Sequence, residues 1–152
     1  MNSSKGYVKS GKIKLLIEAN DKVITGVSFI KKRPKILNKN DLINRAEKEL
    51  KEYFNGKRYE FSIPMDLKGT DFQKKVWKAT QKIPFGKTKS YGEIAKMIKN
   101  PKAVRAVGGA LNKNPICIII PCHRVIGKDG SMTGFGAGIK SKESLLEHEN
   151  NH

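Results

Sequence analysis

Apolar and polar residues alternate early in the chain and recur at helical spacing later. Residues 12–18 (KIKLLIE) and 22–30 (KVITGVSFI) carry the alternation of half-buried strands. Asn20-Asp21 between them predicts a hairpin turn. KKRPKILNKN reads as a charged connection. Over residues 41–54, Leu42, Ala46, Leu50 and Phe54 share one face of a predicted helix, which Asn55-Gly56 stops. Residues 57–69 run extended through Pro64, and a domain boundary is expected near residue 65. The division is residues 1–65 as a small N-terminal α/β domain with its linker, and residues 66–152 as a second domain.

The second half changes period. Residues 71–82 form an amphipathic helix with Phe72, Val76 and Trp77 inward, followed by the turn IPFGKTK. SYGE is a capping box: Ser90 caps and Glu93 reaches back, opening a helix expected to run to Lys99. Asn100-Pro101 then supplies a cap and a first-turn proline for the next helix. Two helices joined this closely predict a helix-turn-helix. In PKAVRAVGGALN, Val104, Val107, Gly108 and Leu111 point inward, and Lys102, Arg105 and Gly109 occupy the opposite face. Ile116 to Ile120 is apolar on both faces, which predicts a buried strand ended by Pro121. The fold class is α+β.

Composition narrows the partners. The 152 residues are 38% hydrophobic and 30% charged, as in a globular protein with a real core. Apolar runs are too short to span a bilayer, and the N-terminus has no apolar signal core, so a cytoplasmic protein without membrane contact is expected. The net charge of +17 implies a polyanionic partner, most simply nucleic acid. The lysine bias of an AT-rich or heat-adapted genome is the competing account. Charge is divided evenly between the halves and locates no binding face.

The two cysteines, Cys117 and Cys122, are poorly placed to bridge on one extended segment, and no zinc spacing exists. Cys117 reads as core packing. Cys122 follows the apolar run and precedes His123 and Arg124. A cysteine acts as nucleophile only as thiolate, so it needs a base or positive neighbours. Adjacent residues of an extended chain point apart, so a water or a sharp bend after Pro121 must connect Cys122 to His123. A third group should orient the imidazole, and Glu143, Glu147 and Glu149 are candidates that spacing does not separate.

PCHRV in this setting resembles the active-site motif of the O6-alkylguanine-DNA alkyltransferases. GTDFQKKVWKATQKIPFGKTKSYGEIA, PKAVRAVGGALNKNP, IIIPCHRVIG and KESLLEHE resemble family blocks in the same order, covering residues 66–149. The resemblance implies an RNase H-like N-terminal domain and a C-terminal winged helix-turn-helix domain carrying the active site. It implies that Cys122 takes the alkyl group from O6 of a damaged guanine, with His123 as base through a water, Glu149 as its orienter and Asn114 as a hinge. Arg105 would replace the flipped base. Lys102, Ala103, Gly108 and Gly109 would contact the minor groove of double-stranded DNA, where sequence readout is degenerate. Tyr91, Val125, Leu111, Phe135 and Gly136 would form the guanine pocket, with the Cys122 and Val125 carbonyls reading its edge.

The chain departs from the family pattern in places. The family often has tyrosine at Phe135, and some members have proline at Cys117 or zinc ligands in the N-terminal domain that this chain lacks. The resemblance further implies no metal, no cofactor, one turnover per molecule, and a prokaryotic monomer able to cluster on DNA. An alkyltransferase-like protein that only binds the lesion would lack the acceptor cysteine. A helix-turn-helix regulator would leave Cys122, His123 and Glu149 idle. A cysteine hydrolase would need an oxyanion arrangement that the sequence does not offer.

Overall fold

The early alternation folds as a sheet with one strand more than the pattern announces. The computed structural model describes residues 3–130 and 138–152, and Phe135 and Gly136 lie outside them. The chain divides into two units. One runs to Leu67 and takes in Pro115–Cys117; the other holds Lys68–Asn114 and resumes at Ile118.

In the first unit, β1 (Ser4–Ser10), β2 (Ile13–Ala19) and β3 (Ile24–Phe29) form an antiparallel meander in sequence order. The extra strand is β1. Its buried face is Ser4, Gly6 and Val8, so only one residue carries a strong apolar signal. Gly6 is small because a Cβ there would run into the Ile43 side chain and approach Glu47 Oε2 to 2.9 Å. Asn20 does make the second turn, its Oδ1 accepting from the backbone N–H of Lys22 and Val23 at 2.8 and 2.9 Å. Outside β3, Ile24 bridges to Met65 and Val27 to Ile116, so the sheet edge is covered.

Helix α1 (Asp41–Phe54) is capped by Asn40, whose side chain accepts from Ile43 N at 2.8 Å. Its buried face is Ile43, Ala46, Leu50 and Tyr53, not the expected set with Leu42 and Phe54, which are half-buried. Apolar pairs stand at both ends of this helix, so spacing fits either choice. The observed rotation also turns Glu47 inward, where it accepts from Tyr7 N at 2.9 Å and pairs with Lys39 at 2.8 Å.

The second unit holds α2 (Asp71–Gln81), β4 (Lys89–Ser90), α3 (Tyr91–Met97), α4 (Val104–Asn112), β5 (Val125–Ile126) and α5 (Ile139–Asn150). Capping boxes open α2 at Thr70 with Gln73 and α3 at Ser90 with Glu93. Trp77 is fully buried and donates its indole N–H to Ala110 O at 2.9 Å, fastening α2 to α4. Phe72 is only half-buried. Helix α3 ends at Met97, short of the expected Lys99, which takes a left-handed φ of 60° that a helix cannot continue.

Helix α4 begins later than expected. Asn100–Ala103 form a turn, with Ala103 N donating to Asn100 O at 3.0 Å, and Pro101 sits in that turn. Val104 therefore opens the helix and is 40% exposed; Val107, Ala110 and Leu111 are the buried positions. The expected strand at 116–120 does not form. Its isoleucines are buried, but Ile118 adopts φ 71°, which breaks the alternation. Left-handed backbone at a β-branched residue costs on the order of 1–3 kcal/mol and persists where the surroundings fix it.

The parallel pairing of β4 with β5 is short, but it sets the position of an aromatic side chain. Lys89 lies opposite Val125 and Ser90 opposite Ile126. It pins Tyr91, the next residue after β4, beside the segment that immediately precedes Val125. Among the described residues, no helix is long and apolar enough to cross a membrane.

Gly6→Ala should destabilise the first unit by about 1–3 kcal/mol, the usual result of overpacking. Urea denaturation should show a lower midpoint at unchanged slope.

Candidate active site

Cys122, His123 and Arg124 form a single 3-10 turn after Pro121, and all three are buried. Arg124 N donates to Pro121 O at 2.9 Å, which closes the turn. This is the sharp bend that the sequence required. Asn114 holds the segment from the other side. Its Nδ2 donates to Ile120 O at 2.9 Å and stands 3.1 Å from Cys122 Sγ.

His123 Nε2 lies 2.6 Å from Glu149 Oε2. Glu149 also accepts from Arg124 Nε at 2.7 Å, Arg124 Nη2 at 3.1 Å and Gly86 N at 3.2 Å. Burial pushes its carboxyl upward, but the hydrogen bonds from His123 and Arg124 and the Arg124 charge outweigh burial and hold it well below the usual carboxylate range. The group is an anion. Burial lowers the His123 pKa, the Glu149 bond and charge oppose this, and the Arg124 and Lys142 charges add to the lowering. The imidazole is therefore neutral at rest. A neutral ring facing a carboxylate through Nε2 must carry its proton there, which leaves the Nδ1 lone pair as acceptor. Nδ1 is buried and has no hydrogen-bond partner among the described residues. Thiol and imidazole are thus not directly bonded.

Burial pushes the Cys122 thiol up, while Asn114 and the Lys142 charge pull it down. The resting group is a thiol that needs a base. Of the three candidate glutamates, Glu143 and Glu147 are exposed, and Glu149 alone is turned inward on α5. Arg124, considered as a neighbour for the thiolate, instead serves Glu149 and also donates to Ile83 O at 2.8 Å. Cys117 is only half-buried.

Sequence reasoning missed Lys142. It is 1% exposed, donates Nζ to Val125 O at 2.5 Å and lies 5.7 Å from the centroid of the Tyr91 ring. Burial lowers its pKa, and the Cys122 charge opposes this. The signal was present: Lys142, Leu145, Leu146 and Glu149 share the buried face of α5 at helical spacing. A lysine in register with a buried face is rarely there for packing.

The remaining residues fall into two groups. Tyr91 is half-buried at the start of α3, Leu111 is buried in α4, and the Val125 carbonyl already takes the Lys142 bond. Lys102, Arg105 and Gly109 are exposed, with Ala103 and Gly108 half-buried beside them. A Cβ added to Gly109 would meet nothing within 4 Å, and one on Gly108 would only touch Tyr91 at 3.9 Å. Packing within the chain does not demand either glycine.

Residues 71–151 match the family described as 6-O-methylguanine DNA methyltransferase, DNA binding domain, and residues 5–67 match its ribonuclease-like domain. A methylated-DNA–protein-cysteine methyltransferase of Methanosarcina mazei is 45% identical over 151 residues, covering 95% of this chain and 96% of the relative. The crystal structure of the Mycobacterium tuberculosis O6-methylguanine methyltransferase superposes with a TM-score of 0.89 at 41% identity, covering 99% of this chain and 94% of that one. The same organism's protein in complex with DNA gives 0.87 at 44% identity, covering 95% and 91%.

Lys142→Met keeps the apolar stem and removes the charge that favours the thiolate. The Cys122 thiol pKa should rise further, so the rate of Cys122 alkylation by iodoacetamide should fall at neutral pH and its pH profile should move to higher pH. An unchanged profile would reduce Lys142 to a structural tie.

Proposed function

The chain belongs to the 6-O-methylguanine DNA methyltransferase family, and on that premise we propose that it repairs alkylated guanine in DNA by moving the alkyl group onto its own Cys122. The observation that carries this reading is the geometry of His123, the residue after the buried Cys122: its Nε2 stands 2.6 Å from the Glu149 carboxylate, and its buried Nδ1 has no hydrogen-bond partner among the described residues.

The chemistry proceeds from those groups. His123 Nδ1 takes the Cys122 proton through one water, and Glu149 stabilises the imidazolium that forms. The sulfur attacks the alkyl carbon in line, an S–C bond forms, and the C–O6 bond breaks. The electron pair leaves on the guanine ring, which Tyr91 meets with its phenol proton. Asn114 keeps the thiol aimed, and Lys142 favours the thiolate. The Cys122 and Val125 carbonyls read the guanine edge with their remaining lone pairs, and Leu111 walls the pocket. The products are a thioether and a repaired guanine, and no cofactor enters the balance. A thioether is chemically stable, so each molecule acts once. The added group crowds a buried turn, at about 1–3 kcal/mol of stability.

The guanine O6 is inside the duplex, so the base must leave the stack, which costs a few kcal/mol. Arg105 fills the vacated place from the minor groove. Two features of α4 support its role. Asn40, Thr70 and Ser90 cap α1, α2 and α3, whereas α4, like α5, has no side-chain cap and no acidic residue in its first turn. Its first N–H groups and dipole suit phosphate. Each helical glycine also costs about 1 kcal/mol against alanine, and the two on α4 leave room for a backbone to approach.

Intact mass after incubation with duplex containing O6-methylguanine tests this reading. It should rise by one methyl group per chain, mapped to Cys122, and Cys122→Ala should bind the lesion without gaining mass. Arg105→Ala should slow repair of duplex by about ten-fold or more, the scale of losing a few kcal/mol of base flipping, and leave labelling by free O6-benzylguanine unchanged. Unchanged mass with tight lesion binding would indicate a recognition protein instead.

A further inference from the structure

The exposed face of α2 carries a feature that alkyl transfer does not use. Lys75 and Lys78 lie one turn apart, and Lys82 follows at the C-cap. With Ala79, Met97 and Ile98 they line an open depression of about 200 Å³ that contains no acidic residue. Lys96 and Lys99 flank Met97 and Ile98 in sequence and are exposed. None of these five lysines forms an ion pair among the described residues, whereas Lys39, Arg45 and Arg58 of the first unit each meet a carboxylate. Like charges three and four residues apart disfavour a helix, which offsets what Lys78 and Lys82 gain at the C-terminal end of the α2 dipole.

Its direction is fixed by packing. Trp77 points to Ala110 and fastens α2 to α4. Around the helix axis Lys78, Lys82 and Lys75 stand about 100°, 140° and 160° from Trp77, off the side that meets α4.

We propose that the Lys75–Lys78–Lys82 depression is a second site for the phosphate backbone of duplex DNA, so that one chain can hold two duplex segments. The lining is lysine heads around a small apolar floor, which suits sequence-independent neutralisation of phosphates. An acidic protein partner would need a broader apolar surface than Met97 and Ile98 supply. Holding a second segment lets a repair protein pass between DNA strands without full release. The inference rests on reading α4 as the first duplex-binding helix.

The test uses the full chain and two undamaged short duplexes carrying a donor and an acceptor dye. The wild-type protein should bring them together at low salt, in linear proportion to protein. Substituting Lys75→Gln, Lys78→Gln and Lys82→Gln together should abolish energy transfer, keep binding of one duplex and leave labelling of Cys122 by O6-benzylguanine unchanged, which confirms folding. The salt dependence of total binding should weaken by about 0.9 in slope for each phosphate no longer neutralised. No transfer with wild type, transfer unchanged in the triple variant, transfer rising as the square of protein, or retention of polyglutamate in preference to duplex would each overturn the site. If Arg105→Ala left duplex binding intact while the triple variant lost it, the lysine site would stand and the α4 reading would fall.

Discussion

An ionised carboxylate buried to 3% exposure governs the second unit. Such a group is tolerated only when its oxygens are fully bonded, and removing one partner costs about 3–5 kcal/mol. Glu149 collects donors from separate segments: Gly86 in the turn after α2, and His123 and Arg124 in the 3-10 turn. Those bonds hold the C-terminal helix against the active-site turn. They also choose the imidazole tautomer. The packing of the helix and the imidazole tautomer therefore depend on the same anion.

The thiol is handled in the opposite way. Burial alone keeps Cys122 protonated, and the counterweights are an amide hydrogen bond from Asn114 and the charge of Lys142. The sulfur keeps its proton until a base draws it. The geometry comes from an irregular stretch, 114–121, where Asn114 bonds the Ile120 carbonyl and Ile118 sits at positive φ. A regular strand would have turned Cys122 and His123 to opposite sides. Local backbone cost at Ile118 is the counterpart of a usable turn at Cys122.

Helix α4 shows a related trade. Its uncapped start, its late first turn and its glycines all lower intrinsic helix stability. The helix is held by tertiary packing of Val107, Ala110 and Leu111 and by the Trp77 bond. The resulting outer face is small, basic and unobstructed, and its exposed first residues are available to a partner.

Much of this was legible in the sequence. The capping box at Ser90, the helices α1 and α2, the helix pair α3–α4 and the PCHRV motif come from local rules, because caps, turns and periodicity act over a few residues. Other features are set by residues far apart in the chain. Strand β1 hides its inward face behind Ser4 and Gly6, and only the approach of Ile43 explains the glycine. Spacing put Leu42 and Phe54 on the inward face of α1, but Ile43 and Tyr53 beside them take it, with Glu47 turned in to accept from Tyr7. The apolar run at 116–120 signals burial but not conformation, since burial is compatible with strand or irregular backbone. Glu149 against Glu143 or Glu147, and the whole of Lys142, depended on which face of α5 meets the 3-10 turn. Sequence fixes what lies within one or two turns of a residue; the state of a buried charge depends on partners that only the tertiary fold brings within hydrogen-bonding reach.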